Sequence, residues 1–404
     1  MTSYITAGEP FYNGRVRIVA AAFAPVALWG AVDPAAARGF DHFYNLEFDQ
    51  AVATFRELSR KNPSAPNLRN HLAQSILYRE MLRAGALETE LVTGGNAFLR
   101  RDRMNPGPQE RREFDGSIAE SMRLCQERIA KNRRDKEALY HLGVAYGLRA
   151  NYHFLVRKAW MDALRDATQA RKLHNQVTEI DPRMIDARLT QGVHDYIVGS
   201  LPWTYKVLGF LAGFRGDREQ GIRTIEMVYK KGDINRVDAG LLLATVYRRE
   251  RRPSDAVPLL EALIREFPRN YLFRLELAQM YSDLGKKESA LAAIAEVERL
   301  KRSGSPGYSG FPIEKVLYFR GTVQFWYNDL DSALGNFLQV TAKAKDLDPN
   351  TGVTAWMRLG QTYDLKGQRA RAMDAYRQAI TYAPGSYRAK ESEGYLSKPY
   401  RRRG

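Results

Sequence analysis

Near its carboxyl end the chain sets small and large residues at the spacing of a two-helix unit. Trp356, Leu359, Gly360 and Tyr363 are followed by Ala372, Tyr376 and Ala379, and Pro384 closes the unit. Small residues at the eighth and twentieth places let two antiparallel helices approach closely. Larger residues at places 4, 7, 11 and 24 fill the seam, and the proline ends the second helix. The same frame recurs at Leu243, Ala244, Tyr247, Ala256, Leu260, Leu263 and Pro268, and 34 residues later at Leu277, Ala278, Tyr281 and Ala290. A chain built this way stacks helix pairs side by side, buries one continuous core and leaves a long concave face.

The frame resembles the tetratricopeptide repeat, which implies an all-α, right-handed solenoid of about eight antiparallel helix pairs. Gly39, Ala51, Phe55, Leu58 and Pro63 mark a first repeat, and Leu142, Gly143 and Tyr146 a third, whose second helix carries Ala170 and Val177. Residues 38–236 therefore read as divergent repeats, 237–302 as two well-formed ones, and 314–386 as one degenerate and one well-formed repeat. Residues 387–404 read as a capping segment with a basic tail. Insertions at 77–116, 147–160 and 196–216 interrupt the amino-terminal half, as helical extensions or surface loops. No stretch has the two-residue alternation of a strand.

The first residues stand apart. Arg15 and Arg17 precede an uncharged run from Ile18 to Val32, then Pro34 and three alanines. This pattern predicts a secretory signal over residues 1–37, cut after Ala37. An uncleaved anchor or an apolar cap on the first helix are the alternatives. The sole cysteine, Cys125, has no partner for an intramolecular disulfide and reads as a small buried residue.

The formal net charge is +16, which favours acidic partners, anionic lipid or an envelope polymer. The arginines are dispersed rather than interleaved with exposed aromatics, which argues against nucleic acid as a partner. The six histidines include no pair three or four residues apart, no glycine series ends in Gly-Lys-Ser/Thr, and no Gly-x-Ser-x-Gly elbow occurs. The sequence therefore predicts no catalytic residue, no metal site, no cofactor and no small-molecule substrate.

What remains is a binding face. Places 2, 5, 9, 12 and 13 of each first helix should line the concave groove. The two well-formed central repeats contribute Leu241, Thr245, Arg248 and Arg249, then Leu275, Gln279 and Asp283. The degenerate repeat adds Tyr318, Thr322, Phe325 and Trp326, and the last repeat Met357, Gln361 and Asp364. This mixture suits an extended peptide or a partner helix. A second surface lies in the third insertion, where Trp203, Val207, Phe210, Leu211 and Phe214 share one face of a helix opened by Pro202. That helix either packs on the solenoid or touches a membrane surface or partner.

The run Gly199-Ser200-Leu201-Pro202 through Phe210, with Gly213, Phe214, Gly216, Asp217, Arg218, Glu219 and Gly221, is similar to the tetratricopeptide repeat 39 / inclusion-body clearance family. The resemblance implies a non-enzymatic repeat body with a helical insert in this unit. The expected function is an exported, periplasmic or envelope-associated scaffold for a protein or peptide partner. The alternatives are an adaptor on the cytoplasmic face of a membrane, using the insert helix and basic tail, and an accessory protein for envelope polymer.

Overall fold

The computed structural model describes residues 34–87, 103–200 and 216–402. The apolar run 18–32 and the insert-helix residues Trp203, Val207, Phe210, Leu211 and Phe214 lie outside the described residues. Among the described residues the regular structure is helical, with seventeen α-helices and no strand. The first eight are α1 (Pro34–Tyr44), α2 (Phe48–Lys61), α3 (Pro66–Arg83), α4 (Pro108–Lys131), α5 (Lys136–Tyr152), α6 (Trp160–Ile180), α7 (Arg188–Gly199) and α8 (Arg218–Lys231). Then come α9 (Arg236–Arg249), α10 (Pro253–Glu266), α11 (Tyr271–Asp283), α12 (Lys287–Arg302), α13 (Ile313–Trp326), α14 (Leu330–Ala342), α15 (Pro349–Leu365), α16 (Arg369–Tyr382) and α17 (Tyr387–Ser397). They form eight successive pairs, α1 with α2 through α15 with α16, and α17 caps the last pair.

Local chemistry starts many of these helices. Pro66, Pro108, Pro253 and Pro349 occupy first helical turns, where a missing N–H costs nothing. Asp135, Asp217, Asn270, Asp348 and Ser386 accept hydrogen bonds from the exposed N–H groups that follow them.

In three pairs the seam is a glycine under a ring, and elsewhere the eighth place is held by a small residue such as Ala73, Ala244 or Ala278. A Cβ on Gly39 would lie 2.6 Å from the Phe55 ring, one on Gly321 3.0 Å from Phe337, and one on Gly360 2.5 Å from Tyr376. In all three the ring comes sixteen residues after the glycine. The alanines at the twentieth place, Ala51, Ala256, Ala290, Ala333 and Ala372, are all 0% exposed. In the third pair the partner of Gly143 is His174, thirty-one residues on. The extra length is absorbed by longer helices and by a π-helical turn, His153–Arg157, ending at left-handed Lys158. In the second pair α3 and α4 extend into the expected insertion from both sides, to Arg83 and from Pro108. Ala36 is buried in α1, so a cut after Ala37 would fall within the first turn of that helix.

The solenoid also closes on itself. Phe43 and Tyr44 of α1 share one core cluster with Leu263, Phe267 and Phe273 of the fifth and sixth pairs. The Tyr44 hydroxyl donates to Asp238 at 3.1 Å, and Asn270 Nδ2 donates to the Tyr44 carbonyl at 2.7 Å. The Arg269 guanidinium reaches Glu47 at 2.8 Å and Asp41 at 2.6 Å, and its backbone N–H donates to Asn45 at 3.0 Å. Leu46, Leu82 and Leu87 pack on the core of the carboxyl-terminal pairs, and Gly85, at positive φ, sits against Asp348 before α15.

Two outcomes follow from these contacts. Gly360→Ala should lower stability by about 1–3 kcal/mol, because Tyr376 must leave its place. Gly335→Ala, on open helix surface, should raise it by about 0.5–1 kcal/mol. Thermal unfolding of both variants checks the pair, and equal effects would contradict the seam. Asn270→Ala removes the cap of α11 and orphans a buried carbonyl, for a loss of about 2 kcal/mol. It should also increase the radius of gyration in X-ray scattering as α1 lifts away; an unchanged radius would show that closure does not depend on this residue.

Candidate partner-binding surfaces

Closure divides the concave side into two spaces. The larger, about 2250 Å³, lies within the closed turn, where Phe40, His71, Tyr78 and His141 face Leu241, Thr245 and Glu276. The smaller, about 890 Å³, runs along α9, α11, α13 and α15 to α17.

The predicted groove residues divide between these spaces and the core. Arg248, Arg249, Gln279, Asp283, Thr322, Trp326 and Gln361 line the smaller groove. Leu241 and Thr245 line the larger space, with Arg249 common to both. Leu275, Tyr318 and Met357 do not face a groove, each being at most 1% exposed, whereas Phe325, 0% exposed, lies under Arg402 and Tyr400 of the tail. Their places point to the concave side, but adjacent first helices lie close enough there for these large side chains to meet and form core. The Asp364 carboxylate is covered too, held by Arg369 at 3.0 Å and the Tyr376 hydroxyl at 2.9 Å and accepting from the Tyr400 N–H of the tail at 2.8 Å.

Within the smaller groove the charges are positioned rather than loose. Arg248 is buried, with its Nε 3.0 Å from Asp283. Arg358 lies 5.1 Å from the centre of the Phe325 ring and 4.8 Å from that of Trp326, and donates to Gln361 at 2.9 Å. Trp326 is 51% exposed, so one of its faces holds a guanidinium while much of the ring meets solvent. The repeat frame missed Arg358, Arg388, Tyr395 and Tyr400, which also line this groove. Arg358 occupies a place the frame assigns to no surface, and the other three lie beyond the last repeat. The basic tail returns to the solenoid at Tyr400 and Arg402.

The larger space is lined by imidazoles that burial keeps neutral. His71 packs against Phe40 and Phe55, with ring centres 4.7 and 5.3 Å away, and is pushed down to about 3. Burial likewise pushes His141 and His174 to about 4. His174 stacks on Tyr140 at 5.0 Å, and its Nε2 donates to the Tyr140 carbonyl at 2.9 Å. Asp238, desolvated beside Tyr44, is pushed up to about 6. Among the described residues no cluster of His, Cys, Asp and Glu could hold a metal ion. Cys125 is fully buried, and burial pushes its thiol up to about 12, which makes it a packing residue rather than a nucleophile. Among the described residues no helix is long and apolar enough to cross a membrane.

Residues 241–305 and 353–386 match family models of the tetratricopeptide repeat. The chain is similar to the BBSome complex member BBS4 homolog of Drosophila melanogaster, 23% identical over 154 residues. That alignment covers 38% of this chain and 29% of the relative, so it spans under a third of the relative's length. Among solved structures, human IFIT1 as a dimer with m7Gppp-AAAA aligns at a TM-score of 0.46 and 13% identity, over 92% of this chain and 87% of that one. Yeast Tom70 aligns at 0.42 and 12%, over 90% and 87%. The fold is read from the helix pairs themselves rather than from these two likenesses.

The neutral histidines make stability depend on pH. Their folded values lie below the ordinary 6.5, so between 6.5 and about 4 the unfolded chain binds more protons. Each imidazole then removes about 1.4 kcal/mol per pH unit as pH falls. Asp238 acts oppositely between about 6 and 3.8, where the folded chain holds the extra proton. Three groups against one leave a net loss, and the melting temperature should fall steeply from pH 6.5 to 4.5. His141→Gln should flatten that slope by about a third above pH 6 and about a half below it, where Asp238 offsets one imidazole; an unchanged slope would remove His141 from the account.

Proposed function

We propose that this tetratricopeptide repeat protein is a non-enzymatic scaffold that receives an extended segment of a protein partner in its smaller, carboxyl-terminal groove. The observation that carries this reading is the arrangement of Arg248, Arg249, Gln279, Arg358 and Gln361 around an exposed Trp326. An open trough with a large aromatic surface, amide groups and guanidinium donors offers both apolar contact and hydrogen bonds to an extended backbone. The ion pair of buried Arg248 with Asp283 and the stacking of Arg358 hold these donors in place before a ligand arrives, which lowers the entropy lost on binding. The apolar run 18–32 supports a second part of the proposal, that the scaffold works outside the cytoplasm, in the periplasm or envelope.

A photo-crosslinking residue at Trp326, compared in living cells with one at exposed Leu338 of α14, tests the groove. Discrete adducts from position 326 that are absent from 338 are expected. The same adducts from both positions, or none, would overturn the assignment. Fractionation with intact-mass measurement tests the location: export predicts an envelope chain shortened at its amino end, whereas a cytoplasmic chain beginning at Met1 would refute it.

A further inference from the structure

The groove already holds a segment of the chain that owns it. After α17 the backbone turns back, and the Tyr400 N–H donates to Asp364 Oδ2 at 2.8 Å. The Tyr400 ring stands 5.5 Å from Tyr395 and 6.0 Å from Phe325. Two residues on, Arg402 donates to the Phe325 carbonyl and lays its guanidinium 5.3 Å from the centre of the Phe325 ring. Phe325 and Asp364 belong to the first helices of the last two repeats, at concave places. The tail thus makes the contacts expected of a peptide ligand: a backbone hydrogen bond, an aromatic side chain between rings, and a cation on an aromatic face.

We propose that the surface formed by Phe325, Asp364 and Tyr395 is a recognition site for an extended aromatic–basic segment, with an aromatic residue and an arginine two positions later, and that residues 398–402 are a built-in competitor for it. The inference rests on the scaffold reading above and names the chemistry of the segment that the groove takes. Three features of the structure support it. The seating is local: α17 ends at Ser397 and is held independently by Arg369, which donates to the Tyr395 and Leu396 carbonyls at 2.7 Å. It is also incomplete, since among the described residues nothing accepts from the buried Arg402 Nε. Finally, Tyr400 forms one wall of the 890 Å³ trough, so a longer segment that displaced the tail could continue along Trp326 toward Arg248. Charge alone does not place the tail there, because the whole chain carries +16 and repels a basic segment.

The test uses the chain ended after Ser397 and a fluorescent peptide of residues 397–404. Circular dichroism and thermal unfolding first confirm that the shortened chain is folded. The peptide should bind the shortened chain at least tenfold more tightly than the intact chain. Tyr400→Ala or Arg402→Ala in the peptide should each weaken binding about fivefold or more. In the intact chain, Arg402→Glu should raise affinity for the unchanged peptide toward that of the shortened chain. Equal binding to intact and shortened chains, no binding to a folded shortened chain, or equal binding of a scrambled peptide of the same charge would each overturn the proposal. If the peptide fails while position 326 still gives discrete adducts, this inference falls and the scaffold reading stands.

Discussion

A glycine lying under a ring sixteen residues later sets the geometry of this molecule. Gly39 with Phe55, Gly321 with Phe337 and Gly360 with Tyr376 bring paired helices to a separation that no side chain on the first helix would permit. That approach makes the second-helix alanines fully buried and orients each pair against the next. It also turns the first helices toward one another on the inner side. The grooves, the buried concave residues and the reach of α1 across to α11 depend on a small residue at this place, glycine under a ring in these three pairs and Ala73, Ala244 or Ala278 in others.

The variation shows what the rule tolerates. In the third pair the glycine keeps its place and the ring becomes an imidazole, thirty-one residues away. The added residues extend the hairpin beyond the seam, and the seam survives because only the contact must be conserved, not the chain length between its members. The histidine accepted there is held neutral by burial and spends its Nε2 proton on the Tyr140 carbonyl. A residue suited to acid–base chemistry has been used as a flat hydrophobe with one hydrogen bond.

Much of this was legible in the sequence. The repeat frame named the seam residues, the closing prolines, about eight pairs and the buried Cys125, because small-under-large spacing is strong and local. It was less informative about the groove. A place in the frame states which side of a helix a residue occupies, but not how near the next first helix comes, so Leu275, Tyr318 and Met357 do not reach the surface their places predict. The contacts of Arg269 with Asp41 and Glu47, and of Arg402 with Phe325, join residues far apart in the chain and leave no periodic trace. One dispersed arginine looks like another until the superhelix brings its partner into view.

The packing of α1 on the fifth and sixth pairs changes how such a chain should come apart. An open solenoid is nearly one-dimensional: each unit is stabilised by its neighbours, and the array can fray from either end. Here the first unit is also tied to units more than 220 residues away, so fraying at the amino end must break a distant contact as well. That tie closes a long loop, and its ordering entropy is recovered only after the intervening pairs have stacked. Joining the ends of the first superhelical turn should therefore come late in folding, and six otherwise separable pairs become one cooperative unit.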